Sequence, residues 1–187
     1  MLETPKTETL NGLHVTEIKE LIGAVEDNAA AGASRWTVSS EWRGRTHNRS
    51  KVKSCTLGGE EIRRDFTIDI DEPEELGGAN AFANPQEYML AALNSCLMVG
   101  YVALCSLQGI RIDSLEIETT GDIDLRGFFG LSDKVAPGHE SLIAVVRISG
   151  DATPQQFAEI HEAVMKTSAN YHNIARPVRI KDRLQIV

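Results

Sequence analysis

Residues 84–109 read NPQEYMLAALNSCLMVGYVALCSLQG, and the rest of the chain has to be arranged around them. Asn84 can cap a helix, Pro85 suits its first position, and Glu87 stands three residues after the cap, completing a capping box. Gly109 is a natural stop. No charge follows Glu87 inside these bounds. Met89, Leu93, Cys96, Gly100, Ala103 and Leu107 descend one side, and Leu90, Leu97, Tyr101 and Leu104 another. A helix that is apolar all round is a buried one. Its apolar run of about 20 residues approaches membrane-spanning length, but Asn94, Ser95, Ser106 and Gln108 interrupt it. The expectation is a central core helix that carries a thiol at Cys96, with no membrane as partner.

A chain of 187 residues is long enough for one domain with a real core, or for a domain plus an extension. Its 27 acidic against 19 basic residues give a net charge of −8, which argues against nucleic acid as a main partner. The first dozen residues, MLETPKTETLNG, hold no apolar run, so no signal peptide is expected. Three cysteines without a CxxC pair suggest neither a disulfide scaffold nor a zinc ribbon. A cytoplasmic protein with reduced thiols is the simplest reading.

Asn11 and Gly12 signal a turn, after which Ile18, Leu21, Ile22 and Val25 recur at helical spacing. Residues 35–42 alternate, with Trp36, Val38, Ser40 and Trp42 on one face of a half-buried strand. The basic run of Arg43, Arg45, His47, Arg49, Lys51 and Lys53 reads equally as a solvated loop or as a functional segment. Residues 51–57 and 61–70 form two strands about a Gly58-Gly59 turn, and 71–83 an acidic, glycine-containing connection. Beyond the core helix, 112–120, 123–125 and 141–149 are strand-like. Thr153, Pro154 and Gln156 open a helix with Phe157, Ile160, Val164 and Ser168 on its inner stripe, and 178–187 closes the chain as a strand. Strands grouped on either side of a central helix indicate an α+β fold with largely antiparallel sheet. A small sheet covers only one side of such a helix, so a homodimer that sandwiches it is expected.

Cys96 is the leading candidate for chemistry. Free cysteine usually packs as a small hydrophobe, and Cys96 lies too far along its helix for the helix N-terminus to activate it. A thiolate there needs an arginine from elsewhere. Cys105, nine residues on, points to the opposite side of the helix, and Cys55 reads as structural. His14, His47, His139, His161 and His172 show no metal-ligand spacing, so no metal or cofactor is expected. Ser95 lacks the GxSxG elbow of hydrolases, and Gly77-Gly78 forms no phosphate loop.

The run LGGANAFANPQEYMLAALNSC, residues 76–96, resembles the signature of the OsmC/Ohr family (osmotically inducible protein C-like, organic hydroperoxide resistance-like) of thiol-dependent, hydroperoxide-reducing proteins. The similarity extends over most of 35–187 and leaves 1–34 as an N-terminal extension. It implies the OsmC-like fold, an intertwined homodimer in which sheets wrap two central helices. Cys96 matches the peroxidatic cysteine. Arg45, in Trp42-Arg43-Gly44-Arg45, falls at the thiolate-stabilising arginine, with Arg43 as the alternative. The family's glutamate falls at Gln86, with Glu87 beside it, and its resolving cysteine falls at Ser168. Gln86, Glu87 and Ser168 are thus the expected substrate-binding positions. The activity implied is reduction of an organic hydroperoxide through Cys96, with an external thiol as reductant because Ser168 cannot form the disulfide. The alternative is a non-catalytic protein of the same fold that binds a small hydrophobic ligand at the dimer interface.

Overall fold

The computed structural model describes residues 8–187, which fall into two compact units divided between Met89 and Leu90. In the first, strands β1 (Thr9–Leu10) and β2 (Leu13–His14) pair across a turn that Asn11 and Gly12 make at φ 50° and 80°. Helix α1 (Val15–Asp27) follows. It buries Val15 alone and turns its stripe of Leu21, Ile22 and Val25 outward.

Four strands form an antiparallel sheet: β3 (Ser34–Trp36), β4 (Ser39–Gly44), β5 (His47–Leu57) and β6 (Glu60–Ile70). The registers make β5 the centre. β6 pairs along one edge, while β4 and β3 share the other, opposite residues 47–51 and 55–57 respectively. Gly58 and Gly59, both at positive φ, make the expected tight turn. Three expectations are corrected here. The run 35–42 is two strands rather than one, and its aromatic face is not half-buried: Trp36 is 62% and Trp42 76% exposed. Among the described residues no layer of this unit packs over that face. The basic run is not a loop either, since from His47 onward it is the central strand.

The second unit begins inside α2 (Pro85–Leu107). Leu93, Leu97, Tyr101 and Cys105 form its inner face and meet Ile110, Ile117, Ile160 and Val164 in one buried cluster. Full burial of a side chain such as Leu97 contributes about 2 kcal/mol. Strands β7 (Ile112–Thr120) and β8 (Ile143–Gly150) pair antiparallel, with Ile117 opposite Val146. Asn94 fastens α2 to β7: its Nδ2 donates to the Ile117 carbonyl at 3.2 Å, and its Oδ1 accepts from Thr119 Oγ1 at 2.5 Å. Helix α4 (Pro154–Thr167) carries the expected capping box at Thr153 and Gln156 and buries Ile160 and Val164.

Three further expectations change. Residues 123–125 are not a strand; Asp124 instead caps a one-turn helix, α3 (Leu125–Phe128). Gly127 there lets the Ala136 carbonyl come so close that a Cβ would lie 2.2 Å from it. The last helix stops at Thr167 and restarts as α5 (Ala169–Ala175), with Ser168 at the joint. Residues 178–187 form no strand and are exposed throughout, Ile180 by 84% and Ile186 by 90%, because among the described residues no strand pairs with them. As expected, α2 is long and apolar enough to cross a membrane by length and composition, and it buries one face while Val99 on another stands 69% exposed.

Candidate functional site

Cys96 sits midway along α2, partly buried and unbridged. It faces α4 and α5 within a ladder of contacts. One turn before it, Asn170 Nδ2 donates to the Ala92 carbonyl at 2.8 Å. One turn after it, Gly100 meets Val164, where a Cβ would lie only 3.2 Å from Cγ1. Next comes the phenol of Tyr101, hydrogen-bonded to His161 Nδ1. Between the first two rungs the Ser168 hydroxyl donates to Cys96 Sγ at 3.3 Å.

Ser168 is 6% exposed and doubly employed. Its backbone N–H closes α4 on the Val164 carbonyl at 2.9 Å, while its Oγ accepts from the Tyr171 N–H at 3.3 Å and caps α5. With an N–H pointing into the oxygen, the hydroxyl proton is left to point at sulfur. The helix break at Ser168 therefore aims this side chain at the thiol. Tyr101, 1% exposed, is pushed up to about 12, first by burial and then by the neighbouring Cys105. Burial, and then Asp151, also pushes Cys105 up, as befits a fully enclosed packing thiol.

The first unit builds the basic turn. Gly44 and Arg45 both adopt positive φ, 108° and 48°, and Trp42 Nε1 donates to the Arg45 carbonyl at 2.8 Å. The exposed Arg45 side chain is held by its Nε, which donates to the Gly77 carbonyl at 3.2 Å. A left-handed arginine at a fixed turn is a strained arrangement of the kind that gathers at functional sites. Arg43, the alternative, is an exposed residue paired with Glu41 at 2.6 Å. Glu87 is spent on capping: it accepts from Asn84 N at 2.7 Å while its own N–H donates to Asn84 Oδ1 at 2.8 Å. Gln86, beside it, is partly buried.

Asp71, which the sequence reading passed over, organises the approach to α2. The carboxylate is 1% exposed and accepts from Thr46 Oγ1 at 2.6 Å, Ala79 N at 2.9 Å and Ala81 N at 3.3 Å. These bonds, the one from Thr46 foremost, hold it well below the usual carboxylate range. It thereby ties the turn that contains Arg45 to the loop that supplies Gly77. An aspartate directly before a glycine-rich loop is the sequence signal for such a hub. Beside it, Asp69 takes Arg49 Nε and His47 Nε2, each at 2.8 Å, and both bonds lower its pKa. The His47 ring stacks on Phe82.

Comparison with known proteins bears on this arrangement. A family profile described as OsmC-like protein matches residues 77–181, more than half of the chain and including Cys96 and Ser168. Among solved structures, an OsmC-like protein from Mycoplasma pneumoniae aligns at TM-score 0.60 and 13% identity, covering 75% of this chain and 87% of that one. An OsmC-like protein of unknown function from Vibrio cholerae aligns at TM-score 0.53 and 18% identity, covering 75% and 93%. At these identities the likeness is one of fold. The comparison with curated proteins gave no match.

Proposed function

Because the chain belongs to the OsmC-like protein family, we propose that it is a thiol-dependent reductant of organic hydroperoxides that acts through Cys96. The observation that carries the reading is the pairing of a partly buried, unbridged cysteine with a hydroxyl aimed at its sulfur. In this reading Cys96 is the nucleophile and Arg45 supplies the cation that favours the thiolate and orients the peroxide oxygens. In this reading Gln86 and Glu87 are the substrate-binding positions, with Glu87 acting through the cap it makes on Asn84.

The Cys96 thiolate attacks one peroxide oxygen and the O–O bond breaks. The departing alkoxide takes a proton to become an alcohol, and sulfenic acid remains on Cys96. Ser168 offers no thiol to condense with it. An external thiol therefore attacks the Cys96 sulfur, water leaves, and a second thiol releases the protein from the mixed disulfide. Two electrons pass from two thiols to one peroxide. We place this activity in a cytoplasmic homodimer whose second copy covers the outward apolar side chains, Val99 of α2 and Trp36 and Trp42 of the sheet.

The test is consumption of an organic hydroperoxide in the presence of a small dithiol. The parent should consume it, and Cys96→Ser should not. Undiminished consumption by Cys96→Ser sinks the proposal. No consumption by the parent, with a hydrophobic molecule copurifying, favours a binding protein instead.

A further inference from the structure

We infer that Ser168 is a positioning residue for Cys96: its hydroxyl fixes the sulfur by a hydrogen bond that gains strength when the thiol gives up its proton, in addition to standing where a resolving thiol is absent. This deepens the proposed function and rests on Cys96 being its nucleophile. Three observations carry it. The Ser168 hydroxyl donates to Cys96 Sγ at 3.3 Å. The Tyr171 N–H occupies an acceptor direction on the same oxygen, so the proton is not free to turn there. Ser168 is buried and fixed by its own N–H to Val164, and the packing of Gly100 on Val164 one turn away brings α4 close enough for the contact.

A hydroxyl held in this way discriminates between the two states of the sulfur. A hydrogen bond to an ionised acceptor is about twice as strong as one between neutral groups. The ionised sulfur therefore gains more than the thiol from an unchanged geometry, and this gain works against burial, which by itself favours the neutral thiol. No rearrangement is needed when the proton leaves. Asn170 ties α5 to the same helix by a bond that never touches sulfur, at the Ala92 carbonyl. It supplies a matched control for a purely structural effect.

The experiment follows alkylation of Cys96 by iodoacetamide across pH in the full-length protein, with the site of modification read by mass spectrometry. Cys55 and Cys105 are buried and serve as internal references. For Ser168→Ala the expected result is alkylation about tenfold slower at neutral pH, converging on the parent in strong base where every thiol is ionised. Ser168→Thr, which keeps the hydroxyl and the cap, should follow the parent, and so should Asn170→Ala. Should Ser168→Ala lose its fold with the cap, Ser168→Gly removes the hydroxyl at a position where glycine caps almost as well, and the same slowing is expected. An unchanged profile in Ser168→Gly overturns the inference, as does an equal displacement in Asn170→Ala. The measurement is independent of turnover. Retained hydroperoxide consumption in Cys96→Ser would remove the proposed function whatever the alkylation profile shows, and an unmoved profile would leave that function standing.

Discussion

A Cβ placed on Gly100 would stand 3.2 Å from Cγ1 and 3.4 Å from Cγ2 of Val164, tighter than side chains normally pack. Val164 is fully buried and β-branched, so it has little room to yield. In a helix interior Gly→Ala ordinarily stabilises by about 1 kcal/mol, and overpacking costs about 1–3 kcal/mol. Gly100→Ala should therefore lower the Tm or leave it flat. In a Val164→Ala background, where the clash is gone, the same change should raise it. Thermal unfolding of the four proteins gives the cycle, and a gain from Gly100→Ala in the parent background would show that the contact is slack.

Sulfur and oxygen 3.3 Å apart at Cys96 and Ser168 leave little distance to a covalent bridge. Ser168→Cys should accordingly become a two-thiol protein. On exposure to hydroperoxide, Cys96 and the introduced thiol should both become refractory to alkylation until a dithiol is added. Separate oxidation of the two sulfurs would mean that the joint between α4 and α5 does not bring them into bridging geometry.

Asp71 titrates below its ordinary range because Thr46, Ala79 and Ala81 all donate to it. The sign follows from the lowered value. Its contribution to stability is in place above the ordinary carboxylate value near 4 and is lost as pH falls below that, toward the folded value. Asp71→Asn should be less stable at neutral pH, lose less on acidification, and be cut by protease within 71–83. A parallel acid dependence in parent and variant would count against this account.

Tyr101 makes the opposite prediction. With its phenol raised from 10.0 to about 12, the folded state holds the proton over that interval and the unfolded state does not. Stability is then undiminished below pH 10 and falls as pH rises toward 12, by about 3 kcal/mol in all. Tyr101→Phe should lose about 1 kcal/mol near neutrality with its bond to His161, and lack that alkaline fall. Denaturant unfolding at pH 8, 10 and 11 distinguishes the two slopes.

Local chemistry was legible in the sequence wherever it was self-contained. The Asn84–Glu87 and Thr153–Gln156 boxes and the Gly58-Gly59 turn form as their residues dictate. Long-range pairing was less so. Residues 178–187 alternate as a strand should, but alternation supplies a face and not a partner. Trp36 and Trp42 alternate correctly and still lie exposed, because what covers a sheet face is not written in the strand. At the site, Cys96 and Ser168 were both visible, and the contact between them follows from the packing of Gly100 on Val164, a tertiary fact. Asp71 was hidden because its partners are mostly backbone N–H groups, which have no sequence identity.

The backbone at position 45 has a consequence for how this chain can drift. With φ at 48°, the turn asks for a residue without a side chain, and an arginine there costs about 1 kcal/mol relative to glycine. The guanidinium offsets part of that cost through its bond to the Gly77 carbonyl, so Arg45→Gly would ease the backbone and release the glycine-rich loop in one step. Drift at this turn exchanges local comfort for a lost tie between two loops, and neither side of that exchange is neutral.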